Sequence, residues 1–287
     1  MNKKFYPATN DVFFKAIFAN ENNQGIIKSF LSSILDIPRE EYDNIQVADP
    51  FFKIEDNAND KLGILDVKLK LKNGKIVDIE MQLVFKENMR ERVIFYISKM
   101  TTEQIEKGGK YSDIKKVVSI IIAADHNVVK ENDKCHNRFL LRNEEGIIFT
   151  DKIEVDTLEL LKLPKNINET LEDWIKFLNA KSEEDMDMIA QKAETDVCKA
   201  AELVLKFNQD SEMRVLAEQR ENALREYRSE LQMTMEKGIK QGIEQGVEKQ
   251  KGLEKIEIAK NSLKRGLDVE TISVITGLSP MEIEKLK

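Results

Sequence analysis

The chain has 287 residues, a length that predicts one α/β body and a separate, mostly helical region rather than a single compact domain. No apolar run approaches the roughly 20 residues that cross a bilayer, and the N-terminus lacks a secretory signal, so the sequence predicts a soluble, cytoplasmic protein without a membrane partner. The net charge of the chain is −7, but residues 1–124 hold 19 basic and 18 acidic residues. The excess of acidic residues therefore lies in residues 125–287, and the overall charge does not exclude DNA binding by the N-terminal part.

The first part of the sequence alternates between helical and strand periodicity. Apolar residues three and four apart predict helices between residues 10 and 35, and the polar stretch at 20–23 divides them. Alternating apolar and charged residues then predict three strands, near 45–55, 62–71 and 75–84.

A helix and a buried strand are predicted next. From Glu87 to Gly108 the helical period returns, and five apolar residues share one face: Met89, Val93, Tyr96, Ile97 and Met100. The β-branched run at 117–122 predicts a strand that is buried on both faces. The order of helix, three strands, helix and strand therefore predicts an α/β fold with a mixed central sheet flanked by helices.

The rest of the chain is predicted to be mainly helical. Beyond residue 125 the pattern is less clear, and His126 and His136 are expected to be exposed in a polar loop. A helix is predicted around Trp174, and the charged, proline-free stretch at 183–232 is also predicted to be helical.

Residue parity determines how two of the predicted strands pair. In both strands the apolar residues, such as Leu69 and Val77, have odd numbers and the polar residues have even numbers. A two-residue turn would pair odd positions with even ones and mix the two faces. A three-residue loop at 72–74 pairs positions whose numbers sum to 146, keeps each face uniform, and places Gly74 where this loop needs a left-handed residue.

This register places two carboxylates opposite each other. Asp66 faces Glu80 with Cβ atoms about 5 Å apart, and like charges at that distance destabilise a sheet. Either one carboxyl holds a proton or a cation lies between them, because hard cations prefer oxygen ligands. The alternative is that both carboxylates point into water, where the repulsion is small. The residues alone leave these alternatives open.

Short motifs at these positions resemble those of a known enzyme superfamily. They are Asn10-Asp11-Val12-Phe13-Phe14-Lys15, Ile64-Leu65-Asp66-Val67, Asn73-Gly74, Ile79-Glu80-Met81-Gln82, and Arg92 through Tyr96 to Tyr111. Together they resemble the PD-(D/E)XK nucleases, in particular the branch of transposase-like, recombination-promoting nucleases. The likeness covers roughly residues 5–125 and extends to the Gly-Ile repeat and the Ile-Thr-Gly-Leu-Ser stretch near the C-terminus. It implies a restriction-endonuclease-like core with a helical C-terminal extension.

The resemblance also implies a metal site. In that superfamily an Asp, a Glu and the carbonyl of the residue after the Glu bind magnesium or manganese. Asp66, Glu80 and the backbone carbonyl of Met81 are therefore the implied ligands, and Asp11 is a further candidate whose simpler role is to cap its helix. The implied catalytic residues are Asp66, Glu80 and Gln82. Gln82 replaces the usual lysine, so it can orient water or phosphate but adds no positive charge and cannot act as a base.

Four residues are candidates for DNA binding: Lys15, Arg92, Tyr96 and Lys99. The last three lie three to four residues apart on one predicted helix, where the cations could contact phosphates. The alternative is that each is a surface side chain, with Tyr96 in the core.

Two features of the C-terminal region indicate self-association. Gly238, Gly242 and Gly246 recur every four residues beside β-branched residues, and each glycine costs nearly 1 kcal/mol in a helix relative to alanine. They indicate close approach of a second helix, with a flexible linker as the alternative. The segment at 267–287 resembles a helix-turn-helix, but its near-neutral last helix favours packing or oligomerisation over DNA reading.

The resemblance implies a magnesium- or manganese-dependent DNA endonuclease that acts in DNA recombination or transposon mobility. The predicted division is a nuclease-like domain at 1–180, a charged helical arm at 181–253 and a small helical module at 254–287. A homodimer or higher oligomer is expected to form through the C-terminal helical region. The alternative is a catalytically inactive nuclease-like protein that binds DNA or builds an assembly.

Overall fold

The computed structural model describes residues 4–35, 37, 39–42, 45–48, 67–83, 88–105, 108–192 and 195–286. The chain forms two compact units, Met1–Ala223 and Leu224–Lys287. None of the helices formed by the described residues is long and apolar enough to cross a membrane.

A mixed sheet, six-stranded over the described residues, lies in the first unit. Its strands are β1 (Gln46–Ala48), β2 (Val67–Lys70), β3 (Ile76–Gln82), β4 (Val117–Ala123), β5 (His136–Arg142) and β6 (Ile148–Glu159). Their order across the sheet is β1-β2-β3-β4-β6-β5. The pairs β3-β4 and β4-β6 are parallel, whereas the pairs β1-β2, β2-β3 and β5-β6 are antiparallel.

The helices flank this sheet and continue beyond it. They are α1 (Asp11–Phe18), α2 (Gln24–Ile34), α3 (Met89–Thr102), α4 (Glu169–Asn179), α5 (Glu183–Ala190), α6 (Asp196–Gln209), α7 (Ser211–Lys264), α8 (Val269–Thr276) and α9 (Pro280–Glu284). The predicted α/β class and the order of helix, three strands, helix and strand are confirmed. The hairpin of β5 and β6 was not predicted.

The polar stretch at 20–23 divides the first two helices as predicted. Asn10 caps α1, because its side chain accepts a hydrogen bond from the backbone N–H of Val12. The predicted capping role of Asp11 is therefore wrong. Asp11 is instead the first helical residue, and its Oδ2 lies 2.5 Å from Nε of Arg220 at the start of α7.

One face of the sheet carries the larger core. Val77 and Ile79 of β3 pack there with the apolar sides of α1, α2, α4 and α6. Trp174 of α4 is fully buried in this core, with its ring centroid 5.3 Å from that of Phe30 and 5.9 Å from that of Phe18. Aromatic rings therefore join helices that lie far apart in sequence.

The opposite face of the sheet is covered by α3. The five apolar residues predicted to share one side of this helix are all buried. They pack against Val117 and Ile121 of β4, which point away from the larger core. The even-numbered side chains of β3 lie on this second face, because Glu80 pairs with Ile121 in the parallel ladder.

The predicted hairpin register is confirmed over the described residues. Val67 pairs with Ile79 and Lys70 with Ile76, so paired positions sum to 146. The N–H of Leu71 donates to the carbonyl of Lys75 at 2.9 Å, which closes the three-residue loop. Gly74 has a φ of 84°, the left-handed conformation that the loop requires.

Candidate metal centre

Glu80 is a buried carboxylate in the middle of the sheet. It lies near the end of β3 on the face covered by α3, and it is only 3% exposed. A charge buried to this extent needs charged or hydrogen-bonding partners. Its neighbours therefore determine what the carboxylate can bind.

Two side chains approach Glu80 from different elements. Nε2 of Gln82, two residues further along β3, donates to Oε2 of Glu80 at 2.8 Å. Nη2 of Arg92 on α3 lies 3.8 Å from Oε1. Arg92 also donates to the hydroxyl of Tyr96 at 3.1 Å, and its guanidinium lies 5.5 Å from the centroid of that ring. The structure thus brings the predicted catalytic residues Glu80 and Gln82 together with two residues that were predicted to bind DNA, Arg92 and Tyr96.

A second buried carboxylate lies on the same side of β3. Asp78 is fully buried, and its Oδ2 accepts a hydrogen bond from Oγ of Ser119 at 3.2 Å. Lys68 pairs with Asp78 across the hairpin, as the register predicts. The Nζ of Lys68 also lies 3.2 Å from Oε2 of Glu103, just beyond α3. The α3 side of the hairpin therefore carries cations beside its buried acids.

Of the predicted metal ligands Asp66, Glu80 and Met81, the structure describes the last two. Asp66 lies outside the described residues. The side chain of Met81 is buried in the core on the opposite face, so only its backbone oxygen stays a candidate. Within the described ranges no group of three His, Cys, Asp or Glu side chains could hold a metal. Glu80 still fits a hard divalent cation, because it offers carboxylate oxygens in a buried setting.

The other predicted site residues are carried by α1 and α3. Asp11 and Lys15 belong to α1, whose apolar residues pack in the core on the other face of the sheet. Lys99 lies on α3 two turns beyond Arg92, and its Nζ is 5.9 Å from the ring centroid of Phe95. Their predicted roles in metal or DNA binding stay predictions.

Comparison with known proteins assigns most of the chain to one family. The profile described as a PD-(D/E)XK nuclease family transposase matches residues 8–234. The chain belongs to this family. The resemblance inferred from the motifs around Asp66 and Glu80 is thereby confirmed. No curated protein and no solved structure matches the chain.

The C-terminal part of the chain matches a second family profile. The profile described as the C-terminal HTH domain of the Rpn/YhgA-like nuclease family matches residues 253–287. Here α8 is followed by a left-handed Gly277, and α9 begins with a capping box between Ser279 and Glu282. Ile272 and Ile283 join the two helices in a small core. The match to a helix-turn-helix domain suggests DNA binding. The sequence-based prediction was instead a packing or oligomerisation module, because the last helix is nearly neutral.

The chain also contains a charged cluster that was not predicted, on the strands β5 and β6. Asp156 is fully buried, and its Oδ1 lies 2.8 Å from Nε2 of His136 and 3.5 Å from Nε of Arg138. Arg138 and Lys116 both contact Glu154, at 3.3 and 2.6 Å. The expectation that His136 lies exposed in a loop is wrong, because His136 begins β5 and faces a buried acid.

The buried position of Asp156 makes stability depend on pH. Burial raises the pKa of Asp156 from 3.8 to about 6, the hydrogen bond from His136 opposes the rise, and the charge of Glu154 adds to it. The folded state therefore holds this proton more tightly than the unfolded chain. The contribution of Asp156 to stability is largest below pH 4 and is lost as the pH rises to about 6.

We expect the substitution Asp156→Asn to remove this dependence. Urea unfolding between pH 4 and 7 should show that the unfolding free energy of wild type, relative to D156N, falls as the pH rises. The substitution Asp151→Asn, at an exposed position of β6, serves as the control and should leave the wild-type profile unchanged. A wild-type advantage over D156N that grows with pH would contradict the assignment.

Proposed function

We propose that this protein is a metal-dependent DNA endonuclease that hydrolyses phosphodiester bonds in DNA recombination or transposon mobility. One observation carries the proposal: over the described residues the hairpin pairs positions that sum to 146, and Glu80 is buried next to the last of these pairs. If the register continues, Asp66 would lie opposite Glu80. Family membership supports nuclease chemistry at this place. The cytoplasmic location and the division at residues 180 and 253 stay predictions.

Asp66, Glu80 and the carbonyl of Met81 would hold Mg²⁺ or Mn²⁺. When bound, such a cation lowers the pKa of a water molecule and stabilises the charge that develops on the scissile phosphate. Glu80 contributes a carboxylate fixed by the strand and by the amide of Gln82. That hydrogen bond orients the carboxylate, because a buried amide with a bound acceptor has little freedom to rotate.

DNA would lie over the α3 side of this site. Arg92 and Lys99 would contact phosphates from α3, and Lys15 is a further candidate on α1. Tyr96 is 6% exposed, and its hydroxyl accepts a hydrogen bond from Arg92. Tyr96 would therefore position Arg92 for the phosphate rather than contact DNA itself. Phosphate contacts of this kind position the duplex without reading its sequence.

Plasmid nicking tests the proposal directly. Wild type, Asp66→Ala and Glu80→Gln are compared with Mg²⁺, with Mn²⁺ and with EDTA. Equal activity in all three proteins would eliminate this mechanism.

A rival function is a nuclease-like protein that binds DNA or builds an assembly without cutting. Gln82 favours it, because glutamine stands where the superfamily usually has lysine. Calorimetric titration with Mn²⁺ separates the two. Absence of binding in the millimolar range, together with unaffected DNA association, would favour the rival.

The protein is also proposed to self-associate through α7. The Gly-Ile repeat lies within this helix, and Ile239, Ile243 and Val247 are 55%, 61% and 49% exposed beside the glycines. Among the described residues, nothing lies within 4 Å of a Cβ built at Gly238, Gly242 or Gly246. Exposed β-branched side chains beside a glycine strip suit a second helix at close approach.

We expect Ile243→Lys to weaken this association at least about tenfold, because a lysine would have to be desolvated in the contact. Sedimentation velocity at several concentrations measures the dissociation constant. The substitution Gln241→Lys, at an exposed position of the same helix turn, is the control for added charge. Association that is equally strong in I243K and Q241K would place the contact elsewhere.

A further inference from the structure

Arg92 is the cation that α3 presents to Glu80. Its side chain is 28% exposed, whereas that of Glu80 is 4% exposed, so the ion pair joins a partly exposed group to a buried one. The guanidinium also has a hydrogen bond to the hydroxyl of Tyr96 and lies against that ring. These contacts give Arg92 an anchor that does not depend on Glu80.

The two oxygens of Glu80 are held in different ways. Oε2 accepts a hydrogen bond of 2.8 Å from Gln82, whose side chain is itself buried. Oε1 faces Arg92 at 3.8 Å, where opposite charges attract but no hydrogen bond of normal length forms. A cation that binds Glu80 through Oε1 would therefore meet Arg92 there.

We propose that the guanidinium of Arg92 neutralises Glu80 before a metal binds and then, once the metal is bound, pairs with a DNA phosphate instead. This inference rests on the proposed function. Arg92 would thus supply, from α3, the positive charge that Gln82 does not provide from β3. A guanidinium suits this second role, because its donors bind two phosphate oxygens at once.

The proposal predicts opposite effects on metal and on DNA. Without Arg92, the metal no longer competes with a nearby positive charge, so Glu80 should bind it more tightly. The phosphate loses its guanidinium, so cleavage should fall. A residue that only supports the fold would weaken both functions together.

The test uses the full chain, with Mn²⁺ as the probe. Calorimetry without DNA measures Mn²⁺ affinity, and plasmid nicking measures activity. We expect Arg92→Gln to bind Mn²⁺ about tenfold more tightly than wild type, because the substitution removes one partly screened positive charge that repels the cation. Nicking should fall about a hundredfold in the same variant. Arg92→Lys keeps the charge, so its Mn²⁺ affinity should stay near the wild-type value.

Arg90→Gln is the matched control. Arg90 lies on the same helix and donates to the carbonyl of Val128 at 2.9 Å, in a contact separate from Glu80. Its loss should leave Mn²⁺ affinity unchanged. If R92Q binds Mn²⁺ no more tightly than wild type, the inference is overturned while the proposed function stands. If wild type binds no Mn²⁺, the proposed function itself is overturned, and the inference about Arg92 is overturned with it.

Discussion

Replacement of Glu80 by glutamine is expected to lower the rate of metal-dependent plasmid nicking by about 1,000-fold or more. The amide has nearly the size of the carboxylate but lacks the charge that binds a cation. A metal contributes several kcal/mol of transition-state stabilisation, and each 1.36 kcal/mol corresponds to a factor of ten in rate. Conversion of supercoiled to relaxed plasmid, with enzyme in excess, measures the effect on the cleavage step.

A suitable control removes a buried carboxylate from the other face of the sheet. Glu154 is 4% exposed and contacts Lys116 and Arg138, so Glu154→Gln disturbs a charged network without touching Glu80. It should lower stability but retain nicking by the folded molecules. Nicking at the wild-type rate in E80Q would contradict the metal mechanism and support the non-cutting rival.

The pairing of the hairpin could be predicted because it depends on local information. Alternating burial requires that apolar residues such as Leu69 and Val77 share a face, and only one short loop satisfies that condition with Gly74 in the left-handed region. The apolar side of α3 could be predicted for the same reason, from a period of 3.6 residues. Both patterns reflect constraints within a few residues.

The partners of Glu80 could be predicted only in part. Sequence reasoning identified Gln82 and Arg92 as site residues, but it assigned Arg92 to phosphate and not to Glu80. The rotation of α3 about its axis places Arg92 at Oε1, and that rotation follows from how Val93 and Ile97 pack against β4. Such packing joins residues of different elements, so no local pattern reveals it.

The hairpin of β5 and β6 escaped prediction because its burial depends on ion pairs. Asp156 and Glu154 are charged residues, yet both are buried beside Arg138 of the neighbouring strand. Phe149 of β6, by contrast, is 83% exposed. Hydrophobicity alone therefore does not show which residues of these two strands face the core.

Replacement of Trp174 by alanine is expected to lower the free energy of unfolding by about 3–5 kcal/mol. The indole is fully buried among Phe18, Phe30 and Phe177, at centroid distances of 5.9, 5.3 and 5.5 Å. Its Nε1 also donates to Oγ of Ser29 at 3.3 Å. Truncation leaves a cavity between α1, α2 and α4 that rigid neighbouring helices fill only in part. Urea unfolding followed by circular dichroism measures the change in midpoint.

The substitution Phe149→Ala removes an aromatic ring from an exposed position and should change stability by no more than about 0.5 kcal/mol. Comparable losses in W174A and F149A would show that the aromatic core does not hold α4 against α2. Trp174 packs on the sheet face that lies opposite Glu80, so W174A should retain nicking by the molecules that stay folded. Lost stability with retained activity per folded molecule would therefore separate the core of the fold from the candidate metal centre.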